Sequence, residues 1–126
     1  VEMVARIPPE LPDVFVDPQQ IAQVLTNLVT NAYQAMPTGG TMTLNAREVE
    51  DEVALSVADT GIGMSPETMD RLFEPLFTTK AKGIGLGLAV SKYLVEANGG
   101  SIRVESEEGN GSTFTVFVPA ATDSDD

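Results

Sequence analysis

The sequence contains neither cysteine nor histidine. Without cysteine the chain has no disulfide framework and no thiolate metal site, so its stability must come from packing. Without histidine it lacks the commonest general base and the commonest phosphoryl acceptor of signalling chemistry. No run of about eighteen apolar residues is present to span a bilayer, and no positively charged start precedes an apolar stretch that could act as a signal. We therefore expect a soluble chain that suits the cytosol.

Basic residues are also scarce. Seven of them stand against 19 acidic residues, which gives a net charge of −12. This charge repels nucleic acid phosphates and anionic lipid, so we expect neither nucleic acid binding nor direct membrane contact. Lys80 and Lys82 are a local exception beside a glycine run. The length of 126 residues predicts one domain, with a folded part over 1–119 and an acidic, disordered tail over 120–126.

Local signals predict the order strand, helix, hairpin, loop, helix, long loop, helix, hairpin. Asp17 followed by proline marks the start of the first helix, and Ser65 followed by proline marks the second. A third helix is expected from near Leu86 to the glycines after Asn98. This order predicts an α+β, two-layer sandwich in which about three helices cover one face of a mixed, mainly antiparallel sheet. We expect the other face to be solvated.

The first predicted helix carries an amide ridge beside its apolar stripe. Asn27 and Asn31 are one turn apart and therefore share a face, with Gln20, Gln23 and Gln34 close by. The stripe itself has helical spacing: Ile21, Val24, Leu25, Leu28, Val29 and Ala32. Asparagine carbonyls can bind Mg²⁺ together with substrate phosphates and water. The alternative is a solvated face that is merely rich in amides.

Two glycine-containing segments could also contact a ligand. In "DTGIG", Asp59 ends a predicted strand and could accept a hydrogen bond from an amino group such as that of adenine, although such a turn is often only a turn. "KAKGIGLGLAV" lacks the Gly-Lys-Ser/Thr of a P-loop, and the third glycine of a dinucleotide fingerprint would fall at Leu88, so neither motif fits. Glycines before a helix still offer N–H groups to an anion, and a plain flexible loop is the alternative.

Taken together, these segments resemble a known family. "NLVTNAYQAM", "DTGIGM", "RLFEPLFTTK", "GIGLGLAV" and "GNGSTFTVFVP" have the order and spacing of the N box, first glycine box, F box, second glycine box and final glycine–threonine motif of sensor histidine kinases. The chain resembles their catalytic and ATP-binding domain, from about Pro12 to Pro119. This domain has a Bergerat fold, which is shared with gyrase, heat-shock chaperone and mismatch-repair ATPases.

The resemblance implies roles for individual residues. Asn31 would coordinate Mg²⁺ at the ATP phosphates with support from Asn27, Asp59 would bind the adenine amino group, and Lys80 would assist the transfer. Phe73 and Phe77 resemble the F-box aromatics that anchor a lid, with ordinary core packing as the alternative. A larger set would line the nucleotide: Tyr33, Gln34, Gly61, Gly63, Met64, Phe73, Thr79, Lys80, Lys82, Gly83, Gly85, Leu86, Gly87, Leu88 and Thr113. Many relatives carry a basic residue at the position of Gln34, which weakens a phosphate contact there.

The resemblance further implies a protein-histidine kinase of a two-component system with ATP and Mg²⁺ as cofactors. Related hydrolases carry a glutamate at the position of Asn27, and an amide cannot accept a proton from water. The acceptor histidine must lie elsewhere, and we expect it on a dimerisation domain before Val1, with a response regulator receiver domain as the next partner. We expect this domain to be cytoplasmic, whether or not the parent kinase is anchored in a membrane. The alternatives are a nucleotide-sensing module without phosphotransfer and a related ATP hydrolase.

Overall fold

A mixed sheet is the base of the computed structural model, which describes residues 1–7, 14, 16–74 and 87–120. Its strands lie in the order β1-β2-β3-β5-β4, and β1 pairs with β2 in parallel while the other three pairings are antiparallel. The strand bounds are β1 (Glu2–Arg6), β2 (Thr41–Val49), β3 (Glu52–Asp59), β4 (Ser101–Ser106) and β5 (Ser112–Pro119). The described sheet is therefore mainly antiparallel, and the predicted fold class is confirmed.

Helices α1 (Pro18–Gln34), α2 (Pro66–Arg71) and α3 (Gly87–Ala97) complete the described elements. Asp17 caps α1, because its Oδ1 accepts hydrogen bonds from the backbone N–H groups of Gln19 and Gln20 at 2.9 and 3.2 Å. Ser65 caps α2 through a 3.2 Å bond from the N–H of Thr68 to its Oγ. The two predicted starts are confirmed. The expected start of the third helix near Leu86 lies just outside the described residues.

One side-chain cluster ties α3 to the start of α1. The Asn98 Oδ1 accepts the backbone N–H of Asp17 at 2.8 Å, and the Asn98 Nδ2 donates to Gln20 Oε1 at 2.9 Å. Gln20 stands where a capping box would place a glutamine, but in this structure its side chain bonds to the far end of α3. The end of α3 thus fixes the beginning of α1 across 78 residues.

The core lies between one face of the sheet and the two longer helices, α1 and α3. Val24 and Leu28 of α1 and Val95 of α3 are fully buried. Buried side chains of β3 and β5 belong to the same core: Val53, Val57, Phe114, Val116 and Val118. The opposite sheet face is largely polar, since Asn45, Ser56 and Thr115 lie side by side on β2, β3 and β5.

The end of the described chain is attached to the sheet. Ala120 donates its N–H to the carbonyl oxygen of Asp51 at 2.9 Å and forms an isolated bridge with Val14. Ala120 is the first residue of the expected tail, and residues 121–126 lie outside the described part. Among the described helices, none is both long enough and apolar enough to cross a membrane.

Candidate functional site

The side chain of Asp59 lies at the end of β3 with only 6% of its surface exposed. Its Oδ1 accepts two backbone N–H groups, from Gly61 at 2.9 Å and from Ser112 at 3.3 Å. Its Oδ2 is buried and has no hydrogen-bond partner among the described residues. Burial raises the pKa of this carboxyl, and the two backbone bonds offset part of the rise. The site therefore holds a buried acceptor that lacks a donor.

Ser112 is a site residue that we did not predict. It lies opposite Asp59 in the β3–β5 pairing, and its N–H helps to hold the carboxylate. The predicted neighbour Thr113 lies between Ser112 and Phe114, so the alternation of the strand directs its side chain to the other face of the sheet. The same alternation, counted back from Phe114, Val116 and Val118, would have identified Ser112.

The glycine-rich loop after Asp59 docks on the end of α1. Ile62 donates its N–H to the carbonyl oxygen of Ala35 at 3.0 Å, and Ala35 donates to the carbonyl oxygen of Asn31 at 3.0 Å. A Cβ added at Gly61 would collide with the carbonyl oxygen of Ala35. Glycine is required at Gly61 for this close approach, which brings the Asp59 loop next to the turn of α1 that contains Asn31.

The far side of the same loop rests on the β4–β5 turn. Gly63 has a φ of +68° and packs against the carbonyl of Glu107, where a Cβ would collide. Met64 donates its N–H to Ser106 Oγ at 2.9 Å, and its side chain packs against the core. The loop is thus held on both sides before any ligand binds.

Asn27 and Asn31 occupy successive turns of α1, as predicted, and both are half-buried. The Asn27 Nδ2 donates to the carbonyl oxygen of Gly87 at 3.3 Å and to Ser91 Oγ at 3.2 Å. This amide therefore faces the first turn of α3. Tyr33 and Gln34, which follow on α1, are both exposed, and Tyr33 shows 63% of its surface to solvent.

The other predicted residues are distributed between the core and the ends of α2 and α3. Phe73 is half-buried against the core, and the Lys92 Nζ lies 5.5 Å from its ring centroid. Leu88 also packs against the core, while Gly87 is exposed at the first position of α3. Seven predicted residues lie outside the described part of the chain: Phe77, Thr79, Lys80, Lys82, Gly83, Gly85 and Leu86.

The candidate site of this α+β domain lies between α1, the end of β3 and the start of α3. Residues 16–122 match the family model described as "Histidine kinase-, DNA gyrase B-, and HSP90-like ATPase". The chain belongs to this ATPase family, as the sequence motifs indicated. Membership supports ATP binding by this chain.

Sensor histidine kinases are among the proteins similar to this chain. The chain is 48% identical over 109 residues to the sensor histidine kinase ZraS of Escherichia coli (strain K12), covering 86% of this chain and 23% of ZraS. It resembles the full-length structure of ShkA in complex with AMPPNP with a TM-score of 0.85 and 34% identity, covering 96% of this chain and 26% of ShkA. The nucleotide-free catalytic domain of the histidine kinase ThkA gives a TM-score of 0.84 at 32% identity, covering 94% of this chain and 78% of that domain. The chain thus spans about a quarter of ZraS.

Proposed function

We propose that this domain binds Mg-ATP and donates the γ-phosphoryl group to a histidine on a separate dimerisation domain in a two-component system. The observation that carries the proposal is the buried Oδ2 of Asp59, which has no hydrogen-bond partner in the part of the chain that the structure describes. The 6-amino group of adenine is a donor that fits this acceptor. Guanine has a carbonyl oxygen at the same ring position, so it would bring an acceptor against an acceptor. The site chemistry therefore favours an adenine nucleotide.

The charge around Asp59 supports one orientation of the nucleotide. A shallow cleft reaches Asp59 from the β4–β5 turn, but Glu105 and Glu107 line it, so it disfavours phosphates. On the other side, α3 begins at Gly87, and the free N–H groups of a helix start favour an anion. The triphosphate would extend from the base toward α1 and the start of α3. Lys80 and Lys82 remain predicted phosphate contacts.

Two amide side chains on α1 suit Mg²⁺. No cluster of three or more His, Cys, Asp or Glu that could hold a metal occurs among the described residues. Mg²⁺ in nucleotide sites needs only one or two protein oxygens, because phosphates and water supply the rest. Asn31 would hold the ion with support from Asn27. When bound, Mg²⁺ neutralises charge on the β- and γ-phosphates.

The residues present suit transfer rather than hydrolysis. Asn27 cannot accept a proton from water, and its nitrogen is bonded to α3. With no histidine in the chain, the acceptor belongs to the partner domain. A nitrogen of that histidine would form a bond to the γ-phosphorus while the bond to the β–γ bridging oxygen breaks and ADP leaves. The phosphoryl group would then pass to an aspartate of a response regulator. The need for ATP supports a cytoplasmic location.

Incubation with γ-labelled ATP tests the proposal. A histidine-bearing dimerisation domain is added in trans, and the label on that domain is followed through acid and alkali treatment. An acid-labile, alkali-stable label that requires both proteins supports phosphotransfer. Nucleotide binding without label would replace the proposal with a nucleotide-sensing module. Steady phosphate release by the domain alone would replace it with a hydrolase.

A further inference from the structure

Ser91 is a polar residue in the middle of α3 that no solvent reaches, with a relative exposure of 0%. A buried hydroxyl is unfavourable unless it is hydrogen-bonded. The Ser91 hydroxyl has two such bonds: it donates to the carbonyl oxygen of Gly87 at 2.8 Å and accepts from Asn27 Nδ2 at 3.2 Å. Ser91 thus joins α3 to the amide ridge of α1 at the point where the two helices pack.

The chemistry of these three groups fixes which end of the Asn27 amide faces α3. A carbonyl oxygen can only accept, so both neighbours of the Gly87 oxygen must be donors. The single proton of the Ser91 hydroxyl is used on that carbonyl, so Ser91 Oγ must accept from Asn27. Both donated bonds of Asn27 therefore come from its nitrogen. The amide assignment follows from the network and does not depend on distinguishing nitrogen from oxygen.

This arrangement leaves the Asn27 Oδ1 directed away from α3. We infer that Ser91 is a positioning residue that holds the Asn27 amide with its nitrogen on α3 and its oxygen toward the ligand side of α1. In that orientation the Asn27 oxygen can support a cation at Asn31. This inference rests on the proposed function, because the Asn27 oxygen has this role only if a cation binds at Asn31. A purely structural helix-to-helix bond is the competing explanation.

Three variants separate these explanations. Ser91→Ala removes the hydroxyl, and Ser91→Thr keeps one that can still bond to the carbonyl four residues earlier. Val95→Ala is the matched control, since Val95 is also fully buried on α3, one turn further on, and its truncation weakens packing without touching the Asn27 network. Thermal melts first establish that each variant is folded.

Two measurements then follow. Calorimetry gives the affinity for AMPPNP with Mg²⁺ and with EDTA, and the ratio of the two affinities isolates the cation. In the nucleotide-free protein, NMR follows solvent exchange of the Asn27 side-chain amide protons, which are identified by their absence in Asn27→Ala. We expect Ser91→Ala to lower the affinity ratio about fivefold, as for one lost hydrogen bond, and to speed amide exchange. Ser91→Thr should restore both values.

The outcomes are distinct. An unchanged ratio and unchanged amide exchange in Ser91→Ala would overturn the role of Ser91 while the proposed function stands. An equal loss of the ratio in Val95→Ala would also overturn it, because packing alone would then explain the effect. Absence of AMPPNP binding by the wild-type protein in both buffers would overturn the proposed function together with this inference.

Discussion

Replacing Asp59 by asparagine tests the role of its buried charge and of the hydrogen-bond acceptor that it offers to a ligand. Asparagine has the same shape, and its oxygen can keep the backbone bonds from Gly61 and Ser112. Its nitrogen then occupies the position of Oδ2, which is unpartnered among the described residues. The substitution thus removes a buried charge and turns the acceptor offered to the ligand into a donor.

The expected loss of affinity follows from that reversal. A hydrogen bond to a charged group contributes about 1.5–3 kcal/mol, so Asp59→Asn should weaken AMPPNP binding by about 10- to 150-fold. Asp70→Asn removes the same charge from an exposed position on α2 and should bind as the wild type does. Calorimetry with both variants measures the difference. Wild-type affinity in Asp59→Asn would refute the assignment of this residue to the base.

The stability of the ligand-free protein should respond in a defined pH range. Burial raises the pKa of Asp59 above the ordinary value of 3.8. Between pH 3.8 and the pKa of Asp59 in the folded state, the folded protein still holds a proton that the unfolded chain has released. The stability of the wild type therefore falls as pH rises through this range. Asp59→Asn cannot show this fall. In urea unfolding from pH 3 upward, the unfolding free energy of the variant relative to the wild type should therefore rise with pH. It should become constant above the folded-state pKa of Asp59. A constant difference would refute the cause that we assign to the shift.

Two further predictions concern backbone and helix contacts. Gly61→Ala should lower the stability by about 1–3 kcal/mol and weaken nucleotide binding, because the new methyl group collides with the Ala35 carbonyl. In contrast, Gly87→Ala meets no described atom within 4 Å and should melt no lower than the wild type. Asn98→Ala should lower the unfolding free energy by about 1–3 kcal/mol, because it removes the hydrogen bonds from Asn98 to the start of α1. Urea titration measures this loss, with the exposed Gln23→Ala as the control.

The features that the sequence predicts well depend on neighbours along the chain. The cap at Asp17, the cap at Ser65 and both hairpins follow from residues within a few positions of each other. The pairing of β1 beside β2, and of β3 beside β5, joins strands that are far apart in sequence. No local pattern indicates such pairings, because they depend on how the whole sheet assembles. The fold class was accessible, whereas the strand order was not.

The site residues also fall into those that local sequence patterns predict and those that they do not. Asn27, Asn31 and Asp59 could be selected because helical spacing and a strand end are local features. Ser112 contacts Asp59 across 53 residues, and Ser91 contacts Asn27 across 64. A buried serine in an apolar helix has no distinguishing pattern of its own. Strand alternation could have placed Ser112 on the core face, but the partner of each serine is apparent only in the structure.

Asp59 and Asn27 share one design, which links the stability of the domain to its proposed activity. In each side chain one polar atom is bonded to the scaffold: Oδ1 of Asp59 to two backbone N–H groups, and Nδ2 of Asn27 to the start of α3. Under the proposed function, the other atom of each side chain would face the ligand. A side chain that is already held at one end loses little further conformational freedom on binding. More of the free energy of each new hydrogen bond therefore contributes to affinity. The buried Asp59 oxygen lowers the stability of the empty domain, and a donor on the bound base would reverse that effect. Nucleotide binding should therefore stabilise the wild-type domain more than Asp59→Asn.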